Sequence, residues 1–396
     1  MSFWKTLDTP IIALSPMDGV TDAAFRFITA KVGHPDLLMT EFTNVEGICR
    51  SPKGLLEDFI YDEMERPIVA QVYGYSPETF YKVAHIVCEL GFDGLDINMG
   101  CPAKNVASKG CGAGLIRDPS RARGILQATQ QGIADWVSGQ SVASLNLPSF
   151  LIQRVADMNV QRQGFEHPLS RRSIPVSVKT RIGYDEVVVN QWISHLLEEK
   201  PVAISIHGRT LKQMYRGMAD WGAISSAVKL ARGTGTLILG NGDLGSMEDV
   251  YKRVKETGVD GVLIGRSALG NPWIFRNKKE VKQAIRLDCP NLIQPVSIEL
   301  HERFRILKEH VHLYEKLKRP WRFVGMRKHM GWYSKGFYKA SDLRVQLLQT
   351  HHAQEVEEVL ERFITDVLGK NYIKGSPPVP SETSGGIKQS LSFQCG

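Results

Sequence analysis

Short, almost uninterrupted apolar runs recur along the chain, each closed by a polar or glycine-containing turn and followed by a stretch with helical periodicity. IIALSP (11–16), LLMTEF (37–42), PIVAQVY (67–73) and GLDINMG (94–100) come first; PVSVKTRIG (175–183), AISIHGRT (203–210), LILGNGD (237–243) and GVLIGRS (261–267) follow. Continuous apolar character, rather than alternation, marks strands covered on both faces. Eight such strands alternating with helices predict a (β/α)8 TIM barrel. A doubly wound dinucleotide-binding sheet would need G-x-G-x-x-G straight after the first strand; the chain has SPMDGVTD there, which argues against it.

Strand starts are 24 to 34 residues apart except between the fourth and fifth, where the spacing is 81. A helix over about 119–136 accounts for part of that gap and leaves an insertion at about 138–173, on the barrel face away from an active site. From about 297 the texture is helical, in SIELHERFRILKEHVHLYEKL, WRFVGMRKHMGWYSKG and SDLRVQLLQTHHAQEVEEVLERFITDVL. This predicts a small all-α helical bundle over 297–370 after a catalytic barrel over 1–285. The tail, 373–396, is rich in Gly, Pro and Ser and is expected to be disordered.

With 396 residues, 42% hydrophobic and 23% charged, the chain has material for both units. No run approaches the length of a membrane span, and MSFWKTLDTP lacks the features of a signal peptide, so a soluble cytoplasmic protein with no membrane contact is expected. Six cysteines make no C-x-x-C pair and no Cys/His cluster at zinc spacing; neither a metal site nor a disulfide framework is expected. The net charge of +7 is concentrated: residues 301–350 carry twelve Lys/Arg against four Asp/Glu, a local +8 that leaves the remainder at −1. A basic helical segment beside a neutral body fits a polyanionic partner, or else a solvated helical face.

The strand ends carry the chemistry. Ser15 with Met17, Glu41, Gln71, Asn98, Lys179, His207, Asn241 with Asp243, and Gly265 with Arg266 form one ring where a barrel builds its active site. GNGD (240–243) and GRSALGNPW (265–273), after the seventh and eighth runs, stand where barrels hold a phosphate, and Arg266 adds charge. A phosphate-bearing cofactor is expected. Were it flavin mononucleotide (FMN), Lys179 would face the ring edge where negative charge accumulates on reduction, Gln71 the pyrimidine edge, and His207 the ring or substrate. The alternatives are a surface lysine at 179 and a satisfied core histidine at 207. Cys101, on the loop after the fourth run, has an ordinary pKa of about 8.5 and is protonated at neutral pH. It is placed to give a proton to a C=C bond that receives hydride from the other face; the alternative is a small buried hydrophobe. Cys111, in KGCGAGLI, reads as packing.

SPMDGVTDAAFR, AQVYG, DINMGCPAKNV, GAGLIRDP, VKTRIGYD, IHGRT, GNGD, GRSALGNPWIF and MRKHMGWY, in this order, resemble the flavin-dependent tRNA-dihydrouridine synthases of bacterial type over roughly residues 7–370. The resemblance implies an FMN barrel with a helical tRNA-binding domain, which reduces the C5=C6 bond of a uridine, with NADPH re-reducing the flavin. It makes Cys101 the acid at C5 after hydride reaches C6. Pro16, Met17, Gln71, Lys179, His207, Asn241, Gly242, Asp243, Gly265 and Arg266 would contact FMN, while Asn98, Arg181 and Lys104 would hold the uracil and its phosphate. In the basic segment Arg322, Arg327, Lys328 and Lys335 are the expected tRNA phosphate contacts. Most of its aromatics (Phe304, Tyr314, Trp321, Phe323, Trp332, Tyr333, Phe337, Tyr338) are expected in the bundle core. A base inside folded RNA must be splayed into the pocket, and a monomer is expected for an enzyme that embraces so large a substrate. The insertion departs from the family pattern; its Arg154, Arg162, Arg171 and Arg172 are either an extra RNA contact or part of a structural segment. Two other readings stay open: a flavin barrel reducing a free small molecule, which leaves the basic segment unexplained, and a catalytically silent RNA-binding protein, which would take up no FMN.

Overall fold

The computed structural model describes residues 2–50, 55–168, 170–214, 216–318 and 320–369; the tail expected over 373–396 lies outside them. Its parallel strands are β1 (Ile11–Leu14), β2 (Leu38–Met39), β3 (Thr43–Asn44), β4 (Ile68–Tyr73), β5 (Gly94–Met99), β6 (Val176–Arg181), β7 (Ala203–His207), β8 (Leu237–Asn241) and β9 (Gly261–Ile264). Eight follow the order β1-β9-β8-β7-β6-β5-β4-β2, with β3 pairing β4 off this path. The circle closes between β1 and β2, where Asp36 N–H donates to Ile12 O (2.9 Å) and Leu14 N–H to Leu37 O (3.2 Å). Each of the eight apolar runs supplies one barrel strand, so the (β/α)8 barrel is present.

Connecting helices are α1 (Ala23–Gly33), α2 (Val45–Arg50), α3 (Pro77–Glu89), α4 (Lys104–Ala107), α5 (Pro119–Val137), α6 (Ser149–Gln163), α7 (Val189–Glu198), α8 (Trp221–Ala231), α9 (Met247–Thr257) and α10 (Lys278–Leu287). The two-residue period of a strand divides each apolar run between two cores. Ile12 and Leu14 pack outward under the helices, whereas Ile11 and Ala13 join Trp4, Leu37, Met39, Val69, Ala203, Leu239 and Leu263 inside the barrel. Further along the same inward positions the residues turn polar: Gln71, Asp96 and Ser177 in one register, then Asn98, Lys179, His207 and Asn241. That change makes a chemical floor out of an otherwise hydrophobic barrel.

The segment at 138–173 contributes α6, whose Leu151, Val155 and Met158 join the main core. Arg162 pairs with Glu63, Arg172 with Asp93 (2.6 Å), and Arg171 bonds the Trp136 carbonyl and lies over its ring at 4.9 Å. Three of the four insertion arginines thus fasten the segment to residues preceding β4 and β5 and to the end of α5, away from the carboxyl ends of the strands.

Helices α11 (Leu300–Leu317), α12 (Met326–Tyr333), α13 (Ala340–Leu347) and α14 (Ala353–Phe363) build a second core from Phe304, Leu307, Val311, Met326, Met330, Leu343, Val356 and Leu360. It also takes in Ala24, Ile28 and Val32 of α1 and Trp273, so the helical region is seated on the barrel. Phe304, Tyr314, Phe323 and Tyr333 are buried, while Tyr338 is exposed. Gly270, at φ +66°, lies against α12 so closely that a Cβ there would be 2.4 Å from the Trp332 carbonyl. The helical region therefore adjoins the turn after β9, one wall of the site below. No helix among the described residues is long and apolar enough to cross a membrane.

Candidate active site

A cavity of about 510 Å³ opens at the carboxyl ends of the strands, a size that suits a small-molecule cofactor. The loop after β1 contributes Ser15, Pro16, Met17 and Asp18; β5 and its loop Asn98, Gly100 and Cys101; β6 Lys179 and Arg181; β7 His207. Asn241, Gly242 and Asp243 come from β8 and its turn, Gly265 and Arg266 from the turn after β9. Cys101, Asn98, Arg181 and nine of the ten residues expected around a cofactor therefore share one space.

The turn that carries Cys101 is clamped from two strands. Asn98 Oδ1 accepts the backbone N–H groups of Gly100 (3.0 Å) and Cys101 (2.8 Å), and Arg181 Nε donates to Gly100 O (2.7 Å). Cys101 is 6% exposed. Burial pushes its thiol pKa up, against the opposing pull of the Ala103 N–H and the charges of Arg181 and Lys179, so it stays protonated at neutral pH. Cys111 packs behind it in a small apolar cluster with Val106, Phe42 and Tyr73, and does not line the cavity. Its thiol is pushed up to about 11, chiefly by burial, and both cysteines are free thiols.

Opposite polarity is supplied by β6 and β7. Desolvation, then the charge of Arg181, lowers Lys179 to about 8, which leaves the ammonium dominant at pH 7. Burial and the surrounding cations push His207 down to about 2, so its imidazole is neutral. Arg209 Nη1 lies 3.3 Å from His207 Nε2; a guanidinium only donates, so the imidazole proton resides on Nδ1.

The turn after β8 requires glycine at 242, where φ is +127° and a Cβ would sit 2.7 Å from that of Ala219. Asp243 accepts from Arg209 Nη2 (2.7 and 2.8 Å), the Ala219 N–H (2.8 Å) and Arg266 Nη2 (3.1 Å). Burial alone would raise its pKa, but the Arg209 and Ala219 hydrogen bonds and both guanidinium charges outweigh it and hold the carboxyl below its ordinary value. The Asp243 side chain is thus committed to joining the turns after β7, β8 and β9. With that carboxylate neutralised by Arg209, the lysine and arginines at 179, 181 and 266, together with the open backbone at Gly242 and Gly265, form a donor set that fits a phosphate-bearing ligand.

Other expected residues lie elsewhere. Gln71 is fully buried beneath the floor and Lys104 is exposed at the start of α4. Arg322 pairs with Glu57 (2.7 Å), Arg327 reaches the Thr350 carbonyl (3.4 Å), and Lys328 and Lys335 are exposed. Lys328 is beside the site: its Nζ is 3.5 Å from where a Cβ on Gly19 would be, in the loop after β1. Two residues that strand-end reasoning passes over are Arg209, 3% exposed, and Asp96, fully buried. Their signal is a charge inside an apolar run or its turn, in AISIHGRT and GLDINMG. Among the described residues no group of three or more His, Cys, Asp or Glu is arranged to hold a metal ion.

A family model described as dihydrouridine synthase (Dus) matches residues 12–139 and 167–368, passing over most of the insertion. "Probable tRNA-dihydrouridine synthase 2" of Bacillus subtilis is 34% identical over 370 residues, covering 91% of this chain and 96% of that one. "Probable tRNA-dihydrouridine synthase" of Staphylococcus epidermidis is 32% identical over 371 residues, covering 91% and 96%.

Proposed function

Because the chain belongs to the dihydrouridine synthase family, we propose that it is an FMN-dependent oxidoreductase that reduces the C5=C6 bond of a specific uridine in tRNA to 5,6-dihydrouridine. The observation that supports this best is one cavity joining a buried, protonated thiol to a glycine-lined cationic cradle. When bound, FMN supplies hydride to C6 and recovers its electrons from NADPH. Pro16, Met17, Lys179, His207, Asn241, Gly242, Asp243, Gly265 and Arg266 would hold it, Asp243 through its backbone and through the arginines it orients. Gln71, bonded to Asp96 and Asn98, would support the floor rather than reach the ring.

Cys101 gives its Sγ proton to C5, and the charges of Lys179 and Arg181 stabilise the thiolate until a solvent proton replaces it. Neutral His207 offers Nδ1–H as a hydrogen-bond donor. Asn98 and Arg181 hold the uracil and its phosphate, with Lys104 at the rim. The helical region over 297–370 takes tRNA phosphates on Arg322, Arg327, Lys328 and Lys335, and presents the splayed base to the barrel domain over 1–285. The protein acts as a monomer.

The test is incubation of the purified protein with NADPH and tRNA lacking dihydrouridine, with the product mapped by mass spectrometry and Cys101→Ala run in parallel. Dihydrouridine at a defined position, lost in the variant, is expected. Turnover of free nucleosides but not of tRNA would replace this reading with a small-molecule reductase. Colourless protein that binds tRNA without product would make it an RNA-binding protein.

A further inference from the structure

Beneath the cavity floor, side chains from three adjacent strands form a directed chain of hydrogen bonds. Asp96 on β5 is fully buried and stands in register with Gln71 on β4 and Ser177 on β6. Ser177 Oγ donates to Asp96 Oδ1 (2.6 Å) and Gln71 Nε2 to Asp96 Oδ2 (2.8 Å). Asn98 Nδ2 donates to Gln71 Oε1 (3.0 Å), and Asn98 Oδ1 accepts the Gly100 and Cys101 N–H groups. A primary amide has nearly the same shape either way round, so its partners decide which end is oxygen. An ionised carboxylate only accepts. Gln71 must therefore turn its NH2 to Asp96 and its oxygen to Asn98, and Asn98 must turn its oxygen to the Cys101 turn.

We infer that Asp96 is a positioning residue: a buried acceptor whose polarity, relayed through Gln71 and Asn98, orients the amide that clamps the Cys101 turn. The inference rests on the reading of Cys101 as the proton donor. Burial pushes the Asp96 carboxyl up to about 6, opposed by the bonds from Ser177 and Gln71 and by the charge of Lys179, so it is ionised at neutral pH. Two N–H groups of one turn would otherwise have to find partners in a cavity that must admit a substrate.

Three variants of the flavin-loaded, full-length protein separate polarity from charge and from packing. Asp96→Leu keeps the branched shape at a larger volume and removes the acceptor. Asp96→Asn removes the charge but can still offer its oxygen to Gln71, its NH2 meeting Ser177 Oγ, which both donates and accepts. Gln71→Leu cuts the chain one step later, and carries the test where Asp96→Leu does not fold. The readouts are hydrogen exchange of the Gly100 and Cys101 amides and the rate at which tRNA reoxidises the reduced flavin, with reduction by NADPH as the control.

Asp96→Leu and Gln71→Leu are expected to speed exchange at both amides about tenfold. They should also slow the tRNA half-reaction by about tenfold or more while leaving reduction by NADPH unchanged. Asp96→Asn is expected within about threefold of the parent on both. Unchanged exchange in the leucine variants would overturn the relay, and so would an asparagine variant as impaired as the leucine one, which would make charge the operative property. Cys101→Ala keeps the backbone clamp, so activity persisting in that variant would refute the acid and leave the exchange result to decide the relay.

Discussion

Gly270 and Gly336 both adopt positive φ, +66° and +77°, but only Gly270 is crowded. A Cβ on Gly270 would lie 2.4 Å from both the carbonyl carbon and oxygen of Trp332 and 2.8 Å from the Tyr333 nitrogen, whereas nothing lies within 4 Å of one on Gly336. Alanine at either position incurs left-handed backbone strain of about 1 kcal/mol. At Gly270 alone, α12 must also move off the turn after β9, an overpacking cost of about 1–3 kcal/mol more. Urea denaturation followed by tryptophan fluorescence measures the difference, with the transition of the helical core analysed separately because a chain with two cores need not unfold in one step. Gly270→Ala is further expected to raise KM for tRNA, since α12, which moves off the turn, carries Lys328. Equal destabilisation by the two substitutions would refute the reasoning that backbone contact at Gly270 seats the helical region.

Arg26 and Glu65 form a buried pair (2.7 Å, side chains 0% and 1% exposed), and Arg26 also donates to the carbonyls of Thr21 (2.9 Å) and Ile60 (2.5 Å). Arg26→Ala strands a buried carboxylate and is expected to cost about 3–5 kcal/mol by urea denaturation; Arg26→Lys should recover only part, because it lacks the fork. Because burial raises the Cys101 thiol, its donating form persists as pH rises: the single-turnover rate with tRNA should stay flat to about pH 8 and fall only above the ordinary thiol range. Lys179, lowered to about 8, loses its charge earlier, so FMN retention by equilibrium dialysis should weaken first, and a joint decline at one pH would contradict the assignment. Lys328→Glu is expected to weaken tRNA binding, reduce the slope of log K against log salt by about 1, and leave the urea midpoint unchanged.

The barrel was legible because a strand buried on both faces must be apolar at nearly every position, and eight such runs stand out from helical sequence. β3 was not, since Thr43 and Asn44 carry no apolar signal and pair through backbone alone. The ring of strand-end residues was legible for the same reason as the barrel: once the strands are assigned, their ends are assigned. What remained hidden depends on register. Arg209 meets Asp243, 34 residues on, and Asp96 meets Gln71 and Ser177, 25 residues back and 81 ahead. A charge density along 301–350 identifies a segment, not a face, so the pairing of Arg322 with Glu57, 265 residues away, was equally out of reach.

Acidity alone does not single out Cys101. Among the cavity groups His207 is neutral, Asp243 is ionised by its arginine, and Lys179, brought down to about 8, is a stronger acid than a thiol raised by burial. The ranking changes once the cradle holds an anion. A negative charge beside Lys179 offsets the repulsion of Arg181 and returns the lysine toward its ordinary pKa, because an opposite charge favours the ionised form. In the proposed mechanism Lys179 then becomes a fixed cation, and a thiolate left on Cys101 after proton transfer would face the same lysine and Arg181 and be stabilised by them. On that proposal the cation that lowers the cost of the thiolate is the group that would otherwise compete as the donor, and binding of the anion would assign the two roles.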